Sequence, residues 1–155
     1  MTSTPATQTS GPATQTAAPA TRPGSAATGG LAGEPGRYLL SARTNHLVSD
    51  SRYGPAEAIT AGELLVAALV SCALSNVTTH GTELGADITD AHVEVVSERD
   101  PDDETRYRTI TITVDIPRAP RPQAQEIVNR FTATCPIYNT IRRGGPITVT
   151  LRTTT

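Results

Sequence analysis

Lysine and tryptophan are absent from this chain, phenylalanine occurs once and cysteine twice. Each scarcity excludes something. Without Lys, any cation that a site needs has to be Arg or His. Two Cys cannot make a disulfide scaffold, and with His46, His80 and His92 scattered they give no zinc-ligand spacing, so no metal is expected. A net charge of −2 supplies no field to recruit nucleic acid or an anionic membrane, and there is no aromatic-plus-basic patch. No Gly-rich loop follows a strand with phosphate-binding spacing, so no cofactor is expected. The N-terminus lacks the basic start and apolar core of a secretory signal, and no apolar run is read as membrane-spanning, since Ser71 and Ser75 interrupt the one around Cys72. The expectation is a cytoplasmic protein with no nucleic-acid or membrane partner.

What is present divides in two. Residues 1–36 are Thr, Ala, Pro, Gly and Ser almost throughout, too apolar-poor to offset the entropy of ordering, and read as a disordered tail. Residues 37–155 form one domain. Tyr38–Ala42 and His46–Asp50 read as strands joined at Arg43-Thr44-Asn45. Thr60-Ala-Gly-Glu63 is a capping box opening a helix over Leu64–Thr79, with Gly81 as its stop. That helix is apolar on nearly every side, which in so small a domain points to a partner subunit covering part of it. Asp87–Glu98 and Thr105–Ile116 read as a hairpin, and Arg121–Thr132 as a helix. Cys135-Pro136 opens a second helical piece ended by Gly144-Gly145. Pro146–Arg152 reads as a final strand with Ile147, Val149 and Leu151 alternating. The class is α+β, helices on one face of mainly antiparallel sheet.

The chemistry converges on the two thiols. Cys72 lies mid-helix, where the helix dipole does not help and burial makes a thiol inert unless a cation reaches it. Arg43 at the hairpin turn and Arg52 in the following loop are the candidates. Cys135 sits at a helix N-terminus, which lowers a thiol pKa. A thiol in a dry interior and a second on a helix end are what thiol-based peroxide reduction requires, although two buried structural thiols would read the same way in composition. Ser75 and Asn76 lie on the Cys72 side of the helix, either lining a pocket or satisfying backbone carbonyls.

Two stretches resemble the OsmC/Ohr family of thiol-dependent hydroperoxide reductases: Glu-Leu-Leu-x-Ala-Ala-Leu-x-Ser-Cys at Glu63–Cys72 and Cys-Pro-Ile-x-Asn at Cys135–Asn139. Arg43-Thr-Asn-His46 leading into Asp50 is also similar to the first hairpin of many members. The resemblance implies an intertwined homodimer with two central helices packed between sheets and active sites at the subunit interface. It implies that Cys72 is peroxidatic and Cys135 resolving, that organic hydroperoxides are preferred over hydrogen peroxide, and that an external dithiol (a reductant protein or a small thiol) reopens the disulfide. Family members carry a carboxylate ten residues before the peroxidatic Cys, where this chain has Gly62. Glu63 is one residue along, about half a turn around the helix from Cys72, and capping accounts for it without catalysis. Arg52 keeps the spacing of one branch and Arg43, slightly favoured by His46 and Asp50, the placement of others. The shifted carboxylate leaves a second reading open: a dimer of the same fold that binds a small apolar ligand or senses redox state.

Overall fold

The computed structural model describes residues 24–152. Strands β1 (Thr28–Leu31), β2 (Arg37–Ala42) and β3 (Asn45–Asp50) form one antiparallel sheet, and β4 (His92–Arg99) and β5 (Tyr107–Asp115) form a second. Helices α1 (Ala61–Glu83), α2 (Arg121–Thr134) and α3 (Pro136–Arg143) complete the described chain. The α+β reading holds, with one strand gained and one lost. β1 lies inside the stretch read as tail, pairing Thr28 through Leu31 with Ser41 through Tyr38. The rest of that reading, residues 1–23, lies outside the described residues.

The lost strand is the last. Pro146–Arg152 has no ladder partner among the described residues, and Ile147, Val149 and Leu151 are 89%, 92% and 84% exposed. Alternation marks a segment able to line one face of a sheet, but a strand also needs an edge to pair with, and within one chain this segment meets none. The three-stranded sheet is similarly bare, with Leu39, Leu47 and Val48 of β2 and β3 all exposed.

The hairpin turn is shorter than expected. Ala42 pairs with Asn45, so Arg43 and Thr44 alone make the turn. Arg43, rather than Asn45, takes the left-handed conformation, at φ 57°. A two-residue hairpin needs φ > 0 inside the loop, which overrides the preference of Asn for that region.

At the start of α1 the capping box forms as read. Glu63 N–H donates to Thr60 Oγ1 (3.4 Å), and Thr60 N–H donates to Glu63 Oε2 (2.7 Å). The stop differs. The helix passes Thr79 and Gly81 and ends at Glu83, with Ala86 N–H donating to Gly81 C=O and Gly85 N–H to Thr82 C=O. Those two bonds are a Schellman closure, and the left-handed glycine in it is Gly85, at φ 62°. Gly81 is there for space, because a Cβ on it would run into Ile88 Cγ2 and stand 3.7 Å from Ile127 Cδ1.

Burial of α1 also departs from the all-round expectation. Only the i, i+4 stripe Leu69, Ala73, Val77 and Gly81 is buried. It packs beneath Ile127 and Phe131 of α2 and Val93 of β4, in a core continued by Val95, Ile112 and Val114. Ala67, Ala68, Ser71 and Leu74, on other faces, are exposed. At 23 residues α1 is long and apolar enough to cross a membrane, contrary to the shorter run read from sequence. Its stripe of contacts with α2 and β4 is that of a helix seated in a folded domain.

Candidate functional site

Where α2 meets α3, Cys135 is at once the last residue of one helix and the cap of the next, with φ −69° and ψ 116°. Extended backbone there breaks the helix, and Pro136 at the first position of α3 prevents α2 from simply continuing. Asn139 stitches the junction, its Nδ2 donating to Thr132 C=O (3.0 Å) and Cys135 C=O (2.9 Å). The Asn of the Cys-Pro-Ile-x-Asn motif thus serves the carbonyls that the end of α2 leaves unpaired.

At this same junction the N-terminus of α3 presents free N–H groups. Pro136 has none, so the first two available are those of Ile137 and Tyr138. Tyr138 N–H donates to Cys135 Sγ at 3.4 Å, and the Ile137 N–H lies near enough to the Cys72 sulfur to favour its thiolate. The two thiols are packed neighbours, brought together from α1 and the α2–α3 junction, and Cys135 raises the cost of ionising Cys72. Cys135 is fully buried and Cys72 half-buried. A helix N-terminus favours negative charge, so this arrangement suits a thiolate on either sulfur.

On its own chain Cys72 is nevertheless not activated. Burial pushes its thiol up, to about 11; sharing a hydrogen bond with Cys135 adds to the rise, and the Ile137 N–H opposes it. No Arg or His is among the groups that move it. Arg43 is out at the hairpin turn. Arg52 lines a cleft of about 500 Å³ at the start of α1, together with Gly62, Glu63, Arg99 and Tyr107. That cleft holds neither thiol, since ten residues of helix from Gly62 to Cys72 span about 15 Å.

The side chains of the cleft explain the glycine. A Cβ on Gly62 would lie 2.5 Å from Tyr107 Oη, so the phenol occupies the space where a side chain at 62 would start. Glu63, the carboxylate one residue along, is engaged by its cap: Thr60 N–H and Thr60 Oγ1–H both donate to its Oε2, and the Thr60 N–H is the main cause of its lowered pKa. Arg52 and Arg99 have no carboxylate partner among the described residues; they stack instead on Tyr53 and Tyr107, with Cζ 4.6 Å and 5.6 Å from the ring centroids.

The loop carrying Arg52 is anchored by a buried ion pair. Asp50 accepts from Arg37 Nε (2.9 Å) and Nη2 (3.1 Å), and from the N–H groups of Glu57 and Ala58. These bonds, led by that of Arg37, hold the Asp50 carboxyl at about 2, below its ordinary 3.8, against the opposing effect of burial. A carboxyl depressed in the folded state stabilises the fold above its unfolded pKa and loses that contribution as it protonates. The urea midpoint of the protein should therefore fall as pH drops from about 4 towards 2, and the Asp50→Asn variant should show a flatter profile over that window. Equal slopes for the two proteins would remove Asp50 from this role.

A smaller apolar cleft of about 200 Å³ adjoins the thiols, lined by Leu69, Ile110, Ile112, Tyr138, Ile141 and Arg142. Leu69 is one turn before Cys72 on α1, and Tyr138 packs on the cluster containing both cysteines and stacks 5.4 Å from Phe131.

Comparison with known proteins agrees with this architecture. The family described as OsmC-like protein matches residues 54–150, more than half of the chain. The chain belongs to the OsmC-like family. Among solved structures it is similar to an OsmC-like protein from Mycoplasma pneumoniae (16% identity, 80% of this chain and 91% of that one, TM-score 0.69). It is also similar to an organic hydroperoxide resistance protein OsmC from Legionella pneumophila (19% identity, 77% and 90%, TM-score 0.57). A third is the organic hydroperoxide resistance protein OhrB of Bacillus subtilis (16% identity, 78% and 92%, TM-score 0.57). At these identities the likeness is one of fold. No curated protein matches the chain.

Sequence patterns reached both cysteines, the cap and the hairpin. They missed Tyr107, because nothing in an alternating strand says which hydroxyl will lie against a glycine forty-five residues earlier.

Proposed function

We propose that this OsmC-like protein is a thiol-dependent peroxidase that reduces organic hydroperoxides. The observation that carries the reading is the pair of sulfurs sharing the N-terminus of α3, each facing a different backbone N–H and each within reach of the other. The Cys72 thiolate attacks the terminal oxygen of the hydroperoxide, the O–O bond breaks, and the departing alkoxide takes a proton to become an alcohol. Cys72 is left as a sulfenic acid. The Cys135 thiolate then attacks the Cys72 sulfur, expelling water and closing a disulfide, which an external dithiol reopens. The apolar cleft at Leu69 and Tyr138 suits the organic half of such a substrate better than hydrogen peroxide.

The active form is a homodimer. Exposed Ala67, Ala68 and Ser71 give α1 a face of small side chains on which a second α1 can pack closely. With the two helices antiparallel about a two-fold axis near Ala67, position 62 of one subunit stands opposite position 72 of the other. The cleft of Arg52 and Arg99 then faces the partner's Cys72, supplying the cation missing within one chain. The bare β1–β3 sheet and the extended residues 146–152 are further surfaces for the partner to cover. Such a cycle belongs in the cytoplasm, where dithiol reductants keep the resting thiols reduced.

The raised Cys72 pKa and the phenol over Gly62 favour one other reading, a dimer of this fold that binds an apolar ligand or senses redox state. One experiment separates them. Single-turnover exposure to stoichiometric cumene hydroperoxide, followed by mass spectrometry, should show an intramolecular Cys72–Cys135 link within seconds, faster than with hydrogen peroxide. Slow oxidation without preference for either thiol would sink the peroxidase.

A further inference from the structure

The side chain of Asn76 is one helical turn beyond Cys72 and points back at it. Its Nδ2 donates to Cys72 C=O at 2.8 Å and lies 3.8 Å from Cys72 Sγ. An amide nitrogen carries two hydrogens, so one can serve the carbonyl and the other the sulfur. On the other side, Asn76 Oδ1 is 3.2 Å from Thr134 Oγ1, on the last turn of α2. The Cys72 carbonyl fixes which way the amide points, because the opposite orientation would set Oδ1 against that oxygen at 2.8 Å. The single hydroxyl hydrogen of Thr134 is shared between Asn76 Oδ1 and Arg130 C=O, the latter at 2.7 Å, and His80 Nε2 stands 3.4 Å from the same oxygen.

We propose that Asn76, oriented by the Cys72 carbonyl with Thr134 beside its Oδ1, is a positioning residue whose amide N–H stabilises the Cys72 thiolate and aims its sulfur. The Ile137 N–H from α3 also lies near enough to favour the charged sulfur, so Cys72 has a donor contact from its own helix and a polar N–H from a neighbouring element. Neutral donors are what a chain without Lys, and without an Arg at this thiol, has available. The assignment rests on Cys72 being the peroxidatic residue. It adds that neutral donors already face the sulfur within one subunit, before a group from the partner supplies the positive charge that its raised pKa still lacks.

Asn76 as a local helix bond alone predicts no change in thiol chemistry, since Ala is the better helix former and Asn76→Ala would fold at least as well. The test is therefore peptide-resolved alkylation of Cys72 by iodoacetamide across pH, beside single-turnover oxidation by cumene hydroperoxide. Loss of a hydrogen bond to a charged sulfur should lower both rates at neutral pH about tenfold in Asn76→Ala and move the alkylation midpoint upward. Asn76→Asp, of the same shape but with an acceptor and a charge facing the sulfur, should lower both further. Thr134→Val, which keeps the amide but removes the hydroxyl beside its Oδ1, should fall between wild type and Asn76→Ala. An alkylation profile unchanged in Asn76→Ala and Asn76→Asp overturns the proposal. If the profiles shift as stated while wild-type Cys72 ignores the hydroperoxide, the peroxidase reading has failed and the donor assignment stands.

Discussion

Cys72→Ser should lower the rate of hydroperoxide-driven thiol loss on the order of a thousandfold or more, whereas Cys135→Ser should leave the first oxidation nearly intact. The asymmetry follows from the geometry. Cys72 is half-buried and Cys135 fully buried, so a peroxide reaches the first sulfur more readily than the second. Removing Cys72 takes away the nucleophile. Removing Cys135 takes away only the trap, and Cys72 then halts as a sulfenic acid that dimedone labels and that excess peroxide drives up the oxidation ladder. Cys135→Ser should also lower the Cys72 pKa, because the hydrogen bond and charge of Cys135 are among the causes that raise it. Stopped-flow thiol loss combined with dimedone labelling checks both halves. A fast first oxidation kept equally by both variants would mean that either sulfur can be attacked, and the division of roles would fall.

Local signals explain most of what the sequence disclosed about this fold. Thr60 and Glu63 are three residues apart, so their reciprocal cap is written in the chain and forms. The β2–β3 hairpin and the β4–β5 pair follow from alternation and turn residues. Readings that needed a distant surface fared worse. Gly81 had the place of a helix stop, but the space it leaves is claimed by Ile88 and Ile127, which no window around residue 81 contains. Ile147, Val149 and Leu151 have the pattern of a strand and no edge within the chain to complete it. β1 was hidden because Thr-Gly-Gly-Leu has little strand propensity, and its order comes from backbone pairing with β2. At the site, both thiols were visible through their motifs. Their meeting at the N-terminus of α3 was not, since it depends on how α1 packs against the α2–α3 junction.

Mixing two inactive variants should restore activity if the site is shared between subunits. Arg52→Ala is expected to slow Cys72 oxidation by about two to three orders of magnitude, the scale of losing a preorganised donor to developing charge. Each site of the proposed dimer takes Cys72 from one subunit and Arg52 from the other. A heterodimer of Cys72→Ser with Arg52→Ala therefore contains one site with both groups intact and one with neither. Random pairing of equal amounts makes about half of the dimers heterodimers, so the mixture should recover about a quarter of wild-type activity, though each parent alone is nearly inactive. The same mixture with Arg43→Ala asks whether the hairpin-turn Arg plays this part instead. Arg52 is the stronger candidate: it lines the cleft beside Gly62, at the level of α1 that the two-fold sets against the partner's Cys72, and Arg43 does not line that cleft. A variant that had merely lost stability would give no such recovery when mixed with Cys72→Ser, because damage to the fold travels with its own chain. Recovery with Arg52→Ala and not with Arg43→Ala assigns the cation. Recovery with neither would mean that Cys72 works with groups of its own subunit, and the antiparallel register about Ala67 would have to be abandoned.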